Sequence, residues 1–180
     1  MTNVAVALIG VLCLLNFALT FAVIRQVRRQ GERAAIHGES GGRRLWHLTA
    51  GSAAPEFTVQ AVSGETVSLS DLAGARSVVA FFSVGCAPCQ IQLPELKAYA
   101  RSVPGGAGQV LVVVRGAADR AVDYVRELAG VATVVVEPMA GQAAQAFSVS
   151  AYPTIYVLDE QGRIETSGGA VRQIVASASA

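Results

Sequence analysis

The sequence predicts a mixed α/β fold preceded by a single membrane-spanning helix. The first observation is an uncharged apolar run at residues 4–24. The second is an uninterrupted apolar segment at residues 77–83, typical of a strand buried on both faces of a sheet. The third is the alternation of strand and helix patterns in the order βαβαβ, followed by a β-hairpin and a helix. We therefore divide the chain into an anchor (residues 4–24), a basic flexible tether (25–50) and a folded domain (51–180).

The anchor is predicted from its length and its lack of charge. As a helix rising about 1.5 Å per residue, residues 4–24 would extend about 31 Å, close to the hydrocarbon thickness of a bilayer. A cleaved signal peptide is the alternative, but Met1-Thr2-Asn3 carries no basic side chain and the apolar run leads directly into Arg25-Gln26-Val27-Arg28-Arg29. A buried core helix would show a polar face, which this run lacks. We expect an uncleaved, single-pass membrane protein.

The tether is basic. Residues 25–44 hold six arginines and two glutamates, a pattern that fits contact with anionic lipid headgroups and gives no indication of nucleic-acid binding. The positive-inside rule would keep this flank, and the domain after it, in the cytoplasm. Thiol chemistry on other proteins' disulfides would favour the outer face instead. The sequence leaves the side of the membrane open.

The folded domain is predicted to begin near Pro55 with a β-hairpin and a short helical turn. Residues 57–62 alternate as a strand, Ser63-Gly64 supplies a turn, and residues 65–69 return. After the strand at 77–83, helical periodicity over 87–102 offers a buried stripe of Ile91, Leu93, Leu96 and Tyr99, with a kink at Pro94. The later predicted elements are a strand at 109–114, helices at 119–128 and 139–147, a strand at 133–136, a hairpin of 154–158 with 164–166, and a helix at 170–178.

The chemistry-bearing motif is Cys86-Ala87-Pro88-Cys89, at the end of the apolar strand and the start of the helix. A thiolate at a helix N-terminus is stabilised by the dipole, which predicts Cys86 as the nucleophile. Cys89, one turn on, is placed to resolve a mixed disulfide. Pro88 fits the first helical turn, where its missing N–H costs nothing. A zinc site is disfavoured because the remaining cysteine, Cys13, lies in the anchor and both histidines lie in the tether. We predict no metal and no cofactor beyond the redox-active disulfide.

Several motifs in order resemble a known family. They are Pro55-Glu56-Phe57, Leu69-Ser70-Asp71-Leu72-Ala73-Gly74, Phe81 to Cys89, Leu93-Pro94-Glu95-Leu96, Tyr152-Pro153-Thr154 and Asp159 to Ile164. Together they resemble the membrane-anchored thioredoxin-like proteins of the TlpA/ResA type. The anchor and tether are also similar to those of MauD, an accessory protein of methylamine dehydrogenase maturation.

This resemblance implies a thioredoxin-like fold with an N-terminal β-hairpin extension and thiol–disulfide oxidoreductase activity. It implies that Pro153 is a cis-proline facing the cysteines, and that Tyr152 offers its backbone to a substrate; Pro94 is structural. Partners would be protein thiols or disulfides, with an electron-donating membrane protein as a further partner. Two departures stand out. Ala80 replaces a buried carboxylate of thioredoxins, and Gly85 replaces a tryptophan common before the first cysteine.

Two other functions stay open at this point. A peroxiredoxin-like peroxidase would also fit the Pro55-Phe57 start and the strand order, but Val79 occupies the place of that family's proline. A MauD-like maturation or assembly factor, which binds a partner without essential thiol turnover, is the third reading.

Overall fold

The computed structural model of the protein describes Phe17 and residues 48–178. The predicted anchor, apart from Phe17, and most of the predicted tether lie outside these residues. Within the described part of the chain, no helix combines the length and apolarity needed to cross a bilayer. Ordered pairing starts slightly before Pro55, because the Gly51 N–H donates to the Ile164 carbonyl (2.7 Å) and Ala53 bridges Arg163.

The domain opens with the predicted hairpin. Strand β1 (Thr58–Gln60) pairs antiparallel with β2 (Thr66–Ser68), and the Ala61 N–H donates to the Glu65 carbonyl across the turn. A 3₁₀ turn at Leu69–Leu72 follows and ends at Gly74, whose φ is +86°. Each of these elements confirms the sequence prediction.

A five-stranded mixed sheet forms the centre of the domain. Its strands are β3 (Ser77–Ser83), β4 (Val110–Arg115), β5 (Thr133–Glu137), β6 (Thr154–Leu158) and β7 (Ile164–Gly168), in the spatial order β5-β4-β3-β6-β7. The β3–β4 and β4–β5 pairs are parallel, whereas β6 runs antiparallel to both β3 and β7. The predicted sheet of mixed direction is confirmed, and β3 occupies its middle.

Helices and the hairpin cover the two faces of this sheet. The helices are α1 (Ala87–Ala100), α2 (Val122–Leu128), α3 (Gln142–Ala146) and α4 (Val171–Ala178). Alternate residues of β3 enter two apolar clusters. Val78, Ala80 and Phe82 pack with α1, α2 and α4, whereas Val79 and Phe81 pack with α3 and the hairpin. Because all seven residues of β3 are buried, the end of this strand is a rigid platform for the segment that follows.

One predicted core position is wrong. Ile91 is 70% exposed, although it was expected in the buried stripe of α1. The buried residues of α1 are Cys89, Leu96 and Ala100, with Leu93 and Tyr99 partly buried against the same cluster. Spacings of seven and four residues place the buried set on one helical face, and Ile91 lies about 200° round the helix from Cys89.

Two helices also differ from their predicted bounds. The segment expected as one helix over 119–128 is a 3₁₀ turn at Ala118–Arg120 followed by α2. The helix expected over 139–147 is confined to α3, and Met139 lies outside it and is exposed. The start of α3 is fixed by the Glu137 carboxylate, which accepts hydrogen bonds from Ala143 N (2.8 Å) and Ala144 N (3.2 Å).

Candidate active site

The two cysteines lie where β3 gives way to α1. The chain leaves β3 after Ser83 and turns at Gly85, whose φ of +76° favours glycine. Cys86 then caps α1 with an extended backbone, and Pro88 lies in the first helical turn. Cys86 and Cys89 are joined by a disulfide. The Cys89 N–H points at Cys86 Sγ, 3.2 Å away. This N–H and the helix dipole are both placed to stabilise negative charge on that sulfur once the disulfide is reduced.

The two sulfurs differ in access to solvent. Cys86 is half-buried, while Cys89 is 0% exposed within the cluster under α1. An incoming thiol therefore reaches the Cys86 sulfur and not that of Cys89. This asymmetry agrees with the roles expected from the sequence, with Cys86 reacting with a partner and Cys89 reacting internally.

The segment before β6 lies against the Cys86 sulfur. The Tyr152–Pro153 peptide bond is cis, and the Tyr152 carbonyl oxygen is 3.7 Å from Cys86 Sγ. Pro153 is buried, and the Thr154 hydroxyl donates to the Ala151 carbonyl at 2.8 Å, which closes the turn into β6. The structure thus brings Cys86, Cys89, Tyr152 and Pro153 together at one end of the sheet. Pro94, by contrast, lies further along α1 with its ring exposed.

Two arginines that the sequence analysis did not single out also belong to this site. The Arg115 guanidinium lies over the Tyr152 ring, 4.4 Å from its centroid, and its Nε donates to Ser83 Oγ at 3.3 Å. Arg120 Nη2 lies 3.9 Å from the point where a Cβ on Gly85 would project. Burial raises the pKa of the Tyr152 phenol, and the nearby Arg115 charge opposes this shift. No local motif marks either arginine. The pairing of β3 with β4 places Arg115, and the 3₁₀ turn after β4 places Arg120.

Ala80 occupies the position at which thioredoxins have a buried carboxylate, and its surroundings are apolar. Ala80 is fully buried in the same cluster as Cys89. Glu137 is the only buried carboxylate in the described chain, and both of its oxygens are bound to the backbone of α3, which packs on the opposite face of the sheet. The polar group that shares the cluster of Cys89 is Tyr124, whose hydroxyl donates to the Ser83 carbonyl at 3.4 Å and whose pKa is raised by burial.

Across the described residues, no group of three or more His, Cys, Asp or Glu side chains is placed to hold an ion. The site is built from two sulfurs, backbone groups and arginine side chains, which suits nucleophilic sulfur chemistry.

The mixed sheet, the disulfide at the start of α1 and the cis-proline loop beside it define a thioredoxin-like protein. Residues 50–167 match the AhpC/TSA family, and the chain belongs to this family. It is 29% identical over 121 residues to the thioredoxin-like protein YneN of Bacillus subtilis, covering 64% of this chain and 68% of that one. It is 26% identical over 117 residues to the thiol-disulfide oxidoreductase ResA of the same organism, covering 65% of each.

A solved structure shows the same fold. It is described as a putative thiol:disulfide interchange protein DsbE from Chlorobium tepidum, and it superposes with a TM-score of 0.52 at 26% identity. The match covers 72% of this chain and 98% of that one. The expected thioredoxin-like fold is confirmed. The relatives are named for thioredoxin-like and thiol–disulfide chemistry, so the peroxidase reading is not favoured.

Proposed function

We propose that this protein is a membrane-tethered thiol–disulfide oxidoreductase that exchanges the Cys86–Cys89 disulfide with protein partners. The observation that carries the proposal is the pairing of a half-buried Cys86 sulfur, facing the Tyr152 carbonyl, with a fully buried Cys89. The relatives named as thiol-disulfide oxidoreductases support the same chemistry.

In the reducing direction, the Cys86 thiolate attacks one sulfur of a partner disulfide. A Cys86–partner S–S bond forms, the partner's S–S bond breaks, and the partner's departing sulfur takes up a proton. Cys89 then loses its proton and attacks Cys86 Sγ, which closes the Cys86–Cys89 disulfide and releases the second partner thiol. Two electrons pass from the dithiol to the partner. The reverse sequence oxidises a partner dithiol, and the relative reduction potentials set the direction.

The residues around the sulfurs have separate tasks in this exchange. The Cys89 N–H and the N-terminus of α1 stabilise the Cys86 thiolate, which lowers the barrier to its formation and departure. The Tyr152–Pro153 segment lies beside that sulfur and offers backbone groups to an extended partner chain. Pro88 holds the first turn of α1, and Pro94 shapes the helix further along. With Ala80 apolar, the Cys89 proton has to leave through water or the partner.

The tether is a separate part of the proposal, supported by residues 4–24 and the arginines that follow them. The TlpA/ResA resemblance favours a domain outside the cytoplasm that receives electrons from a membrane protein, whereas the arginine flank favours the cytoplasmic side. A reporter fused after Ala180 separates these topologies. Activity of an exported reporter supports the outer location, and activity of a cytoplasmic reporter refutes it.

The thiol chemistry is tested by trapping. Cys89→Ser leaves Cys86 without its resolving partner, so mixed disulfides should accumulate in cells and disappear on reduction. Cys86→Ser is the matched control, because its remaining thiol is buried and should trap nothing. If Cys89→Ser yields no mixed disulfide, or Cys86→Ser still supports maturation of the partner, the protein acts as a MauD-like assembly factor instead.

A further inference from the structure

Arg115 lies against Tyr152 and Arg120 lies next to Gly85, and the exchange mechanism does not require either arginine. Arg120 Nη2 is 3.9 Å from the Cβ position of Gly85, the residue directly before Cys86. Arg115 stacks on Tyr152, whose carbonyl touches Cys86 Sγ. Gly85 lacks a side chain, and Arg120 Nη2 would lie at ordinary van der Waals distance from a Cβ there.

Neither arginine forms a direct ion pair with a carboxylate of the described domain. The ion pairs among residues 48–178 join Arg76 to Glu165, Lys97 to Glu127, Arg126 to Asp123 and Arg172 to Glu95. Neither Arg115 nor Arg120 takes part in them. The Glu137 carboxylate lies opposite Arg115 in the β4–β5 register and accepts hydrogen bonds from two backbone N–H groups and none from the guanidinium; its charge partly offsets that of Arg115. Arg120 is therefore the stronger of the two positive charges. Asp119 is exposed and adjacent to Arg120 in the chain, without forming an ion pair with it.

The rest of the surface beside Cys86 is small and uncharged. Gly85, Ala87, Pro88 and Ala151 are exposed around the sulfur. Ile91, one helical turn after Ala87, is the exposed apolar side chain of α1. A partner chain that reaches Cys86 therefore meets apolar contacts and two positive charges. In water an unpaired guanidinium at such a position attracts carboxylates and repels ammonium groups.

We propose that Arg115 and Arg120 form a cationic rim that selects partners whose exchanged cysteine is flanked by acidic residues. The inference rests on the proposed oxidoreductase function and adds a substrate class to it. Complementary charge at the rim of a contact raises the association rate and suppresses partners of the wrong charge. Arg120, exposed at the rim, acts on the partner directly, whereas Arg115 acts both by its charge and by holding Tyr152.

The test uses the reduced full-length protein and two disulfide-bonded peptides that differ only in the residues beside one cysteine, Glu in the first and Lys in the second. Arg120 is the exposed charge of the rim. One charge pair about 6 Å apart in water changes a rate about threefold, so exchanging Glu for Lys next to Arg120 changes it about tenfold. We expect the Glu peptide to be reduced about tenfold faster at low ionic strength. The ratio should fall towards about two at 1 M salt, where screening acts over about 3 Å.

Charge variants test whether the ratio of the two peptide reduction rates depends on the cationic rim. Arg120→Gln should bring the ratio close to one, Arg120→Lys should retain it, and Arg120→Glu should make the Lys peptide the faster substrate. A misfolded protein could not produce that reversal. Arg101→Gln removes the same charge at the far end of α1 and should leave the ratio unchanged.

The outcomes separate the two proposals. Equal rates for both peptides in the unmodified protein, or an unchanged ratio in Arg120→Glu, overturn the cationic rim and leave the oxidoreductase function intact. If neither peptide is reduced while the protein retains its fold, the proposed function fails and the rim proposal fails with it.

Discussion

Leu96 and Ile91 provide a matched pair for measuring what holds α1, and with it Cys89, against the sheet. Both are large aliphatic residues of the same helix, yet Leu96 is 0% exposed and Ile91 is 70% exposed. Truncating a fully buried leucine to alanine costs about 2–5 kcal/mol, because apolar burial is lost and a cavity remains. For Leu96→Ala we expect a loss of about 3 kcal/mol in the free energy of unfolding.

Ile91→Ala should cost far less. The buried third of an isoleucine contributes about 0.5–0.9 kcal/mol, and the higher helix propensity of alanine offsets about 0.4 kcal/mol of it. Urea unfolding of the oxidised protein, followed by circular dichroism, measures both variants. With a slope of about 2 kcal/mol/M, the midpoint should fall by about 1.5 M for Leu96→Ala and by less than about 0.3 M for Ile91→Ala. Similar shifts in the two variants would refute the placement of the buried face of α1.

Two further predictions concern buried ionisable groups. Glu137→Gln should lower the free energy of unfolding by about 2 kcal/mol, because a carboxylate that accepts two N–H groups is replaced by an amide that can accept only one favourably. The control is Glu160→Gln at an exposed position. Equal effects of the two substitutions in urea unfolding would contradict the capping role of Glu137. The protein's tyrosines have pKa values raised above 10.0, chiefly by burial. Neutral tyrosine is favoured in the folded state, so this contribution to stability is full below the unfolded pKa of about 10 and is lost as pH rises through the folded values. In an alkaline titration, tyrosinate absorbance should therefore rise together with the loss of circular dichroism. Tyrosine ionisation at the ordinary pKa in a protein that is still folded would contradict this prediction. The four tyrosines with raised pKa values are Tyr99, Tyr124, Tyr152 and Tyr156.

The fold follows from the sequence wherever the local pattern carries the signal. Strand β3 has the predicted bounds: the short apolar run at residues 77–83 is typical of a strand buried on both faces, and all seven residues are buried. The start of α3 could not be found locally, since the carboxylate that caps it belongs to Glu137 in the preceding strand. Ile91 shows a second limit. Apolar character marks a residue as able to be buried, but the face that a helix buries depends on what packs against it.

The site was partly predictable for a similar reason. The spacing of the two cysteines predicts thiol–disulfide chemistry, and the family resemblance in several motifs predicts the role of Pro153. Arg115 and Arg120 carry no such pattern. Arg115 lies beside the end of β3 because Ser83 pairs with it in the β3–β4 register, which the sequence alone does not specify. Arg120 follows in the 3₁₀ turn Ala118–Arg120, which comes after β4. Gly85, noted in the sequence only as a departure, is the residue beside which Arg120 Nη2 lies.

The contact between Cys86 and Tyr152 has a consequence for how the protein is made. The two residues are 66 positions apart, and they meet only when β6 inserts between β3 and β7. A chain that has been synthesised only through β5 already contains both thiols but lacks the loop that faces them. Contacts between distant segments form late, because closing the intervening chain costs entropy. The newly made protein therefore has both thiols before it has the Tyr152–Pro153 loop beside them. The binding surface around Cys86 is complete only when β6 has joined the sheet.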